Sequence, residues 1–426
     1  MRKGKILFLA TERYPATTGN GVSMGQYSWL QAFNALGMEV VVAPVFLSYP
    51  QLGVKRTERQ GFSRLGFRCC LELEEGLPHL LPRLRMVQQA VWPTRAGAFP
   101  GLACLRQHLR ELLERENPDL LVVFGWASVT LANPLSRCFP SVAIVVDLPA
   151  GNLESRWAGL AQLPAGRRWR EVLRLTSGRR LWRWGITDLR PFRMVVEHAA
   201  HHAKLLRELG LPDVRYVPHC MPEPHNAADI GIEPPEDAEI RVLMLGSLKG
   251  ATSRLGFEFL LNPLLPELRA GAGSIQKPFR IRIVGHGEML SALRSRLEQQ
   301  PEIEFGGFAQ DVAAEYRNAH VMLVVIPTEV GFRTRIAEAF GYGKCVVAHS
   351  ANRAGMPELQ DGVNCLHTED GPGLAERLVS AMNDGALRRR LAAGARNTFE
   401  SSYSPAAMVG AVRTAVGTVL GEGYIR

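Results

Sequence analysis

Residues 331–348 read Gly331-Phe332-Arg333-Thr334-Arg335-Ile336-Ala337-Glu338-Ala339-Phe340-Gly341-Tyr342-Gly343-Lys344-Cys345-Val346-Val347-Ala348. A glycine turn opens this stretch, two arginines and a glutamate follow on a predicted helix, and a second glycine ends the helix before an apolar strand. Backbone N–H groups at a helix N-terminus, with arginines beside them, suit a phosphate or a diphosphate. A carboxylate on the first turns of such a helix accepts hydrogen bonds from a sugar hydroxyl. The pattern indicates a nucleotide-sugar site, although an ordinary loop-helix-strand unit with surface arginines has the same outline.

Strand and helix patterns alternate on both sides of a proline-rich stretch, residues 218–235, which predicts a linker. Continuous apolar runs suit buried strands of a parallel sheet. Strands are predicted at residues 6–10, 39–44, 120–124, 142–146, 194–196, 214–217, 240–245, 279–284, 303–305, 321–326 and 345–348, and helices at 23–36, 105–116, 200–209, 256–268 and 405–420. This alternation predicts two Rossmann-like α/β domains, residues 1–222 and 223–404, with a last helix in residues 405–426.

The composition indicates a soluble globular protein. The chain has 426 residues, 46% of them hydrophobic, enough for two cores of ordinary domain size. No apolar run reaches the ~18 residues of a membrane span, and the apolar run after the basic N-terminus ends too early for a signal peptide. Seven scattered cysteines without metal-site spacing are expected to be reduced core thiols of a cytoplasmic protein. The net charge of +9 favours anionic partners such as nucleotides, lipid headgroups or nucleic acid.

The opening stretch resembles the donor-site motif of GT-B glycosyltransferases, family 4-like, in the variant G-T-R-x-K-I-L-E-A-x-A-x-G-x-P-V-V. It differs at Phe332, where the motif has Thr, at Arg335, where it has Lys, and at Cys345, where it has Pro. Arginine keeps the charge of lysine but changes the geometry of a phosphate contact. The matching residues are Gly331, Arg333, Ile336, Glu338, Ala339, Gly343, Val346 and Val347.

Further motifs of the second half fall in the order of the same family. Residues 242–247 are similar to its V-L-F-V-G-S, residues 283–287 to its I-V-G-x-G, and residues 305–311 to its F-T-G-F-V-x-D. The resemblance implies an α/β fold in which two Rossmann-like domains face each other across a cleft. It also implies that the C-terminal helix returns to the first domain.

The resemblance implies a set of donor-binding residues. Glu338 is expected to bind the ribose, and Glu329 is the candidate for a partner glutamate that relatives carry where Val330 stands. Main-chain groups of Phe308 and Ala309 are expected to meet the nucleobase. The other candidates are Gly19, Asn20 and Gly21 in the first glycine loop, together with Gly246, Ser247, Lys249, Arg254, Gly331 and Phe332.

The catalytic machinery is expected to be small. Arg333, Arg335 and helix dipoles are expected to stabilise the diphosphate leaving group. Relatives carry a first-domain histidine at the end of a strand, which residues 123–126 lack, so Asp147 is the nearest polar candidate. The sequence has no Asp-x-Asp and no visible metal cluster, which predicts metal-independent chemistry without a cofactor, the nucleotide diphosphate sugar being the donor substrate.

Two smaller features carry separate predictions. The histidines 198, 201 and 202 are expected to be surface residues on one helix turn, and Asp311 is expected to cap a helix. The span 156–193 holds ten arginines, two acids and four tryptophans. Such a span suits an anionic membrane surface or a lipid-linked acceptor, RNA, or packing of an arginine-rich helix on its own domain.

These expectations combine into a glycosyltransferase. It is expected to move a sugar from a nucleotide diphosphate sugar to an acceptor hydroxyl, with retention of configuration as family 4-like members do. Two other classes stay open, a catalytically silent nucleotide-sugar-binding scaffold and an RNA-binding protein. The expected location is cytoplasmic, with a peripheral position at the inner membrane face as an extension of the same prediction. The sequence does not identify the sugar, the base or the acceptor.

Overall fold

The computed structural model describes residues 4–11, 21–46, 68–69, 73–74, 102–145, 160, 163, 165–235 and 239–424. Its helices are α1 Gly21–Ala35, α2 Leu102–Glu116, α3 Trp126–Ala132, α4 Ala165–Leu189, α5 Ala200–Glu208, α6 Ala251–Phe259, α7 Leu265–Ala270, α8 Ser291–Glu298, α9 Val312–Arg317, α10 Thr334–Gly341, α11 Gly371–Asn383, α12 Gly385–Thr398 and α13 Pro405–Leu420. Its strands are β1 Lys5–Thr11, β2 Glu39–Phe46, β3 Arg68–Cys69, β4 Leu73–Glu74, β5 Leu120–Phe124, β6 Ser141–Val145, β7 Met194–Glu197, β8 Val214–Tyr216, β9 Ile240–Leu245, β10 Phe279–Val284, β11 Ile303–Gly307, β12 Val321–Val324, β13 Cys345–His349 and β14 Leu366–Thr368.

Unit 1, the first of two compact units, takes the described residues up to Cys220 except Leu160, and those from Pro405 onward. Its parallel sheet has the order β3-β2-β1-β5-β6-β7-β8, and β4 also pairs with β2. Successive residues of a strand face opposite sides of a sheet, so Phe8 of β1 lies in one core layer and Leu9 in the other. Helix α13 packs into the layer that contains Phe8 through Val412 and Val416.

Unit 2 takes Leu160 and the described residues from Met221 to Ser404, and it has its own parallel sheet, in the order β11-β10-β9-β12-β13-β14. The chain builds outward from β9 in one direction, then returns to the other side of β9 with β12. The strand order therefore reverses between β9 and β12. In open α/β sheets ligands bind at such a reversal, beyond the carboxyl ends of the strands.

The proline-rich stretch, predicted as a linker, is held against unit 2 over most of its length. Gly231 N donates to Tyr342 O at 2.9 Å, and the ammonium group of Lys344 donates to the carbonyl oxygens of Ile232 and Ala319. Burial lowers the pKa of Lys344 to about 8. These contacts make residues 221–235 an outer layer of unit 2.

A buried arginine on α12 also holds the proline-rich stretch in place. Arg388 of α12 is fully buried and donates to both carboxylate oxygens of Glu233 at 3.3 Å. Its guanidinium also donates to Ala381 O at 2.8 Å and Met382 O at 3.1 Å, carbonyls in the last turn of α11. Buried charges are stable only when paired and hydrogen-bonded, so Arg388 joins two helices and the incoming chain at one point.

Three sequence predictions need correction here. The helix predicted at 256–268 begins earlier, at Ala251, and is interrupted at Asn262, whose φ of −158° is not helical, before Pro263. The prediction of core thiols is wrong for Cys138, which is exposed, whereas Cys220, Cys345 and Cys365 are buried. None of the described helices is both long and apolar enough to span a bilayer.

The third correction concerns the histidines, which are not a surface group. His198 is buried at the carboxyl end of β7, its Nδ1 donates to Val217 O at 2.7 Å, and its ring stacks on His219 with 4.1 Å between centroids. His202 lies on the buried face of α5 with Leu206. The prediction failed because His198 follows β7 directly and lies beside the rings of Trp29, Phe124 and His219, while α5 places His202 on its buried face. Burial lowers the pKa of His198 to about 4, so its ring is neutral near pH 7.

Candidate donor-binding site

The loops that follow β9, β10 and β11 are joined to one another by main-chain hydrogen bonds. Gly246 N donates to Val284 O at 3.0 Å, Leu248 N to His286 O at 2.9 Å, and Gly285 N to Gly307 O at 2.8 Å. These bonds tie together three loops that each contain one of the predicted glycine motifs. The carboxyl end of the sheet is thereby built as one surface beside the strand-order reversal.

Gly246 and the Arg335 guanidinium are in close contact at this surface. The φ of Gly246 is 141°, in the region that side chains rarely adopt. A Cβ atom added at Gly246 would lie 2.5 Å from Nη2 of Arg335 and 2.6 Å from its Cζ. Only glycine therefore allows the Arg335 guanidinium to lie against the turn after β9. This contact joins the strand β9 side of the reversal to helix α10, which follows β12.

Arg333 occupies the N-cap position of α10, where its side chain organises the preceding loop. Its Nε donates to Asn352 Oδ1 at 2.9 Å and its Nη2 to Thr328 O at 3.2 Å. Asn352 in turn donates to His349 O at 2.6 Å, at the end of β13. The guanidinium is therefore held in place by protein groups beside the first N–H groups of α10.

Glu338 lies one helical turn after Arg335 and meets a buried tyrosine. The hydroxyl of Tyr316, on α9, donates to Glu338 Oε2 at 3.1 Å. Burial raises the pKa of the Glu338 carboxyl, while the hydrogen bond from Tyr316 and the charge of Arg335 oppose that rise. Burial likewise lowers the pKa of the Arg335 guanidinium, and Tyr316 and Glu338 oppose that change. The three side chains form one coupled group on the face of α10.

Phe308 and Ala309 follow β11, at the outer end of the joined loops. The Phe308 ring is 71% exposed, the largest exposed fraction among the large apolar side chains of the described residues. Asp311 begins α9, and its carboxylate accepts from Ala314 N at 3.1 Å, which confirms the predicted helix cap. Because α9 also carries Tyr316, the same short segment links the exposed ring to the Glu338 carboxylate.

The model of the family described as Glycosyl transferases group 1 matches residues 239–384, the part of unit 2 that contains all of these loops. The structure is also similar over nearly its whole length to solved two-domain enzymes. A glycosyltransferase from Rickettsia africae shares 13% identity, covers 99% of each chain and gives a TM-score of 0.64. Sucrose-phosphate synthase from Thermosynechococcus elongatus shares 15% identity over 98% of this chain and 99% of its own, with a TM-score of 0.60.

HepE from Anabaena, solved in complex with UDP and glucose, shares 13% identity, covers 97% of this chain and all of its own, and gives a TM-score of 0.64. At such identities the likeness establishes the fold, and the family match establishes the class of the second unit. Residues 239–384 form a group 1 glycosyltransferase domain, in a chain that has the fold of GT-B glycosyltransferases. No curated protein matched it by sequence.

The basic residues predicted for the diphosphate lie on the loop after β9 of this glycosyltransferase. Ser247 is half-buried, Lys249 is exposed, and the Lys249 side chain runs past Gly287, where an added Cβ would lie 2.9 Å from its Cδ. Arg254 is half-buried on the first turn of α6. The structure thus brings these residues to the same end of the sheet as Gly246 and leaves Lys249 exposed.

The loop before α10 separates its predicted residues into two groups. Gly331, with a φ of 54°, makes the turn, and Val330 is buried, whereas the neighbouring Glu329 is exposed. The ring of Phe332 meets the ring of Tyr403 edge-on, with 5.4 Å between centroids. The half-buried Phe332 side chain therefore packs within unit 2.

Three predicted residues, Gly19, Asn20 and Asp147, lie outside the described residues. Gly21 begins α1, directly after the first of those gaps. The sequence analysis missed Tyr316, which contacts Glu338 across 22 residues of chain. Its only sequence signal is its position on the helix after the Phe308 loop, which does not by itself indicate a contact with α10.

Proposed function

We propose that this glycosyltransferase transfers a sugar from a nucleotide diphosphate sugar to an acceptor hydroxyl. The observation that carries the proposal is the group formed by Gly246, Arg335 and Glu338 at the strand-order reversal of unit 2. It combines a glycine turn, a guanidinium and a carboxylate within one helix and one adjoining loop. HepE, whose fold is similar, was solved in complex with UDP and glucose.

Each group has a role that follows from its chemistry. The guanidiniums of Arg333 and Arg335, with the N-terminus of α10, are suited to a diphosphate. The Glu338 carboxylate accepts hydrogen bonds from ribose hydroxyls. The exposed ring and main chain of Phe308 are suited to the nucleobase.

The reaction breaks the bond between the anomeric carbon and the diphosphate oxygen, and that oxygen keeps the electron pair. The acceptor oxygen forms the new bond to the anomeric carbon and gives up its proton. We propose that positive charge from Arg333 and Arg335 stabilises the departing diphosphate, so that the chemistry is independent of a metal ion. We further propose, from the family 4-like resemblance, that the product retains the anomeric configuration of the donor.

The test uses the purified full chain and a panel of UDP-, GDP-, ADP- and CDP-linked sugars. Mass spectrometry of any co-purified nucleotide guides the choice of base, and release of a nucleoside diphosphate without acceptor measures turnover. Glu338→Ala is expected to weaken binding of the preferred nucleoside diphosphate by about 1–3 kcal/mol, the effect of leaving hydrogen-bonding groups unpaired. No binding of any member of the panel, or unchanged affinity in a folded Glu338→Ala variant, contradicts the proposal.

Two further measurements test the chemical details. Activity is expected to survive EDTA, and a loss that Mg²⁺ or Mn²⁺ restores would contradict metal independence. Arg333→Ala and Arg335→Ala are expected to lower kcat more than they raise KM, because their charge acts on the leaving group. Nuclear magnetic resonance of the product glycoside determines whether the configuration is retained.

A second part of the proposal concerns helix α4. Residues 165–172 include no buried side chain among those described, and Arg168, Trp169 and Arg170 are exposed there. The Arg170 guanidinium lies 5.2 Å from the Trp169 ring centroid. A later turn packs on unit 1, where Asp188 accepts a hydrogen bond from Thr130 Oγ1 at 3.1 Å. We propose that the exposed turns bind an anionic membrane surface from the cytoplasmic side, because interfacial tryptophan and basic residues favour it.

A further inference from the structure

Within the described residues, the hydroxyl of Tyr316 reaches the Glu338 carboxylate from another helix. Its ring is fully buried and stacks on the ring of Tyr342, with 4.5 Å between centroids and 19° between planes. The stack fixes the ring and with it the position of the Tyr316 hydroxyl oxygen, whose hydrogen is directed by the bond to Glu338 Oε2. The hydroxyl is therefore a rigid donor aimed at Oε2 of Glu338, not an adaptable surface group.

A fixed donor at one oxygen determines how the carboxylate can be used. A carboxylate has two acceptor oxygens, and the bond from Tyr316 to Oε2 sets the rotation of the whole group. Oε1 then points in one direction and accepts from a ribose hydroxyl without first having to be ordered. Groups held in the bound geometry before binding lower the entropic cost of association.

The same hydroxyl affects the charge of the carboxylate. Burial favours the neutral acid, which would turn one acceptor oxygen into a donor. A donated hydrogen bond from Tyr316 and the nearby positive charge of Arg335 both favour the ionised form. Tyr316 thus acts on orientation and on charge through one bond.

We propose that Tyr316 is a positioning residue of the donor site, which holds the Glu338 carboxylate as an oriented acceptor for the ribose 2′- and 3′-hydroxyls. This inference rests on the proposed function, since it requires a nucleotide at unit 2. It adds a specific claim, that recognition of ribose depends on a residue that does not itself touch the sugar.

The experiment measures binding by calorimetry with two probes. One is the nucleoside diphosphate that the panel identifies, and the other is its 2′,3′-dideoxy form, which lacks both hydroxyls. The wild-type chain is expected to prefer the ribose form by about tenfold or more. Tyr316→Phe keeps the buried ring and removes only the hydroxyl, and it is expected to reduce that preference by about tenfold while the affinity for the dideoxy probe stays the same.

The pH dependence separates positioning from general structural damage. Without the Tyr316 hydroxyl the pKa of Glu338 rises, so the preference for the ribose form should be lost at a higher pH than in the wild type. The ratio of the two affinities is the useful quantity, because the phosphates of both probes titrate in the same way. Tyr342→Phe is the matched control, since it removes a hydroxyl from the same aromatic stack without removing the bond to Oε2.

The outcomes distinguish the inference from the proposed function. If no nucleoside diphosphate binds, the proposed function fails and the inference fails with it. If the wild type binds but Glu338→Ala leaves the preference for ribose unchanged, the ribose assignment is wrong, and the inference falls although nucleotide binding stands. A third outcome is that Glu338→Ala abolishes the preference for the ribose probe, while Tyr316→Phe and Tyr342→Phe both keep that preference and melt at the wild-type temperature. In that case the proposed function stands and Tyr316 has no positioning role.

Discussion

Gly246→Ala changes a single hydrogen to a methyl group at the point where the turn after β9 meets Arg335. The new Cβ would lie 2.5 Å from Nη2, whereas ordinary contact begins at 3.4 Å, so the guanidinium must move by about 0.9 Å. A misplacement of about 1 Å in a catalytic group lowers turnover on the order of 100-fold. We therefore expect kcat of Gly246→Ala to fall by about 100-fold with the preferred donor, measured as release of the nucleoside diphosphate.

The control separates this displacement from backbone strain. Gly362 also has a positive φ, 73°, but no atom lies within 4 Å of the Cβ that alanine would add there. Both substitutions impose a strain of order 1–3 kcal/mol on the backbone, but only Gly246→Ala displaces Arg335. The reasoning is refuted if Gly246→Ala folds and keeps wild-type kcat, or if Gly362→Ala loses turnover to the same extent.

Three further predictions concern other parts of the molecule. Arg388→Met is expected to lower the free energy of unfolding by about 3–5 kcal/mol, because a buried ion pair loses one partner. Denaturant titration measures this, with Arg389→Met at the neighbouring exposed position as the control. Equal stabilities of the two variants would contradict the prediction. His198 is expected to contribute about 3 kcal/mol to a loss of stability between pH 6.5 and about 4, because the unfolded chain binds its proton in that window and the folded chain does not. His198→Asn should make the profile less steep by that contribution, although His219 and His320, whose pKa values are also lowered, keep part of the slope; an unchanged slope would count against it. The double variant Trp169→Gln and Arg170→Gln is expected to sediment less with anionic vesicles, because each basic residue near the surface contributes about 1 kcal/mol to the free energy of binding. If the wild-type protein does not bind such vesicles at low salt, docking through α4 is disproved.

Patterns confined to one element predicted the fold well. Leu120–Phe124 and Ile240–Leu245 are strands with the bounds that their apolar runs predict, and Pro405–Leu420 is a helix over the predicted span. Such runs are read correctly because burial on both faces of a parallel sheet demands continuous apolar residues. Strand β14, only three residues long, was not predicted, since a run so short has no detectable period.

The sequence predicted the type of site but not its internal contacts. Glu338, Arg335 and Gly246 stand at motif positions that predicted a donor-binding site. The structure places the Arg335 guanidinium against Gly246. The sequence could not predict the hydrogen bond between Tyr316 and Glu338, because that bond joins two helices whose packing depends on the whole sheet. The burial of His198 was missed for a similar reason, since the rings beside it, those of Trp29, Phe124 and His219, come from distant parts of the sequence.

The hydrogen bond from Met221 N to Tyr403 O, 2.8 Å long, brings the entry and exit of unit 2 side by side. Apart from Leu160, the described residues of unit 2 lie between these neighbouring ends, whereas the core of unit 1 includes α13, which follows unit 2 in the chain. During synthesis the second unit has all of its residues before the first one does. An early stop codon before Pro405 would leave all residues of unit 2 in the chain and expose the apolar surface on which Val412 and Val416 normally pack. Truncation at this end is thus expected to yield a chain that aggregates through its first half while its second half still folds.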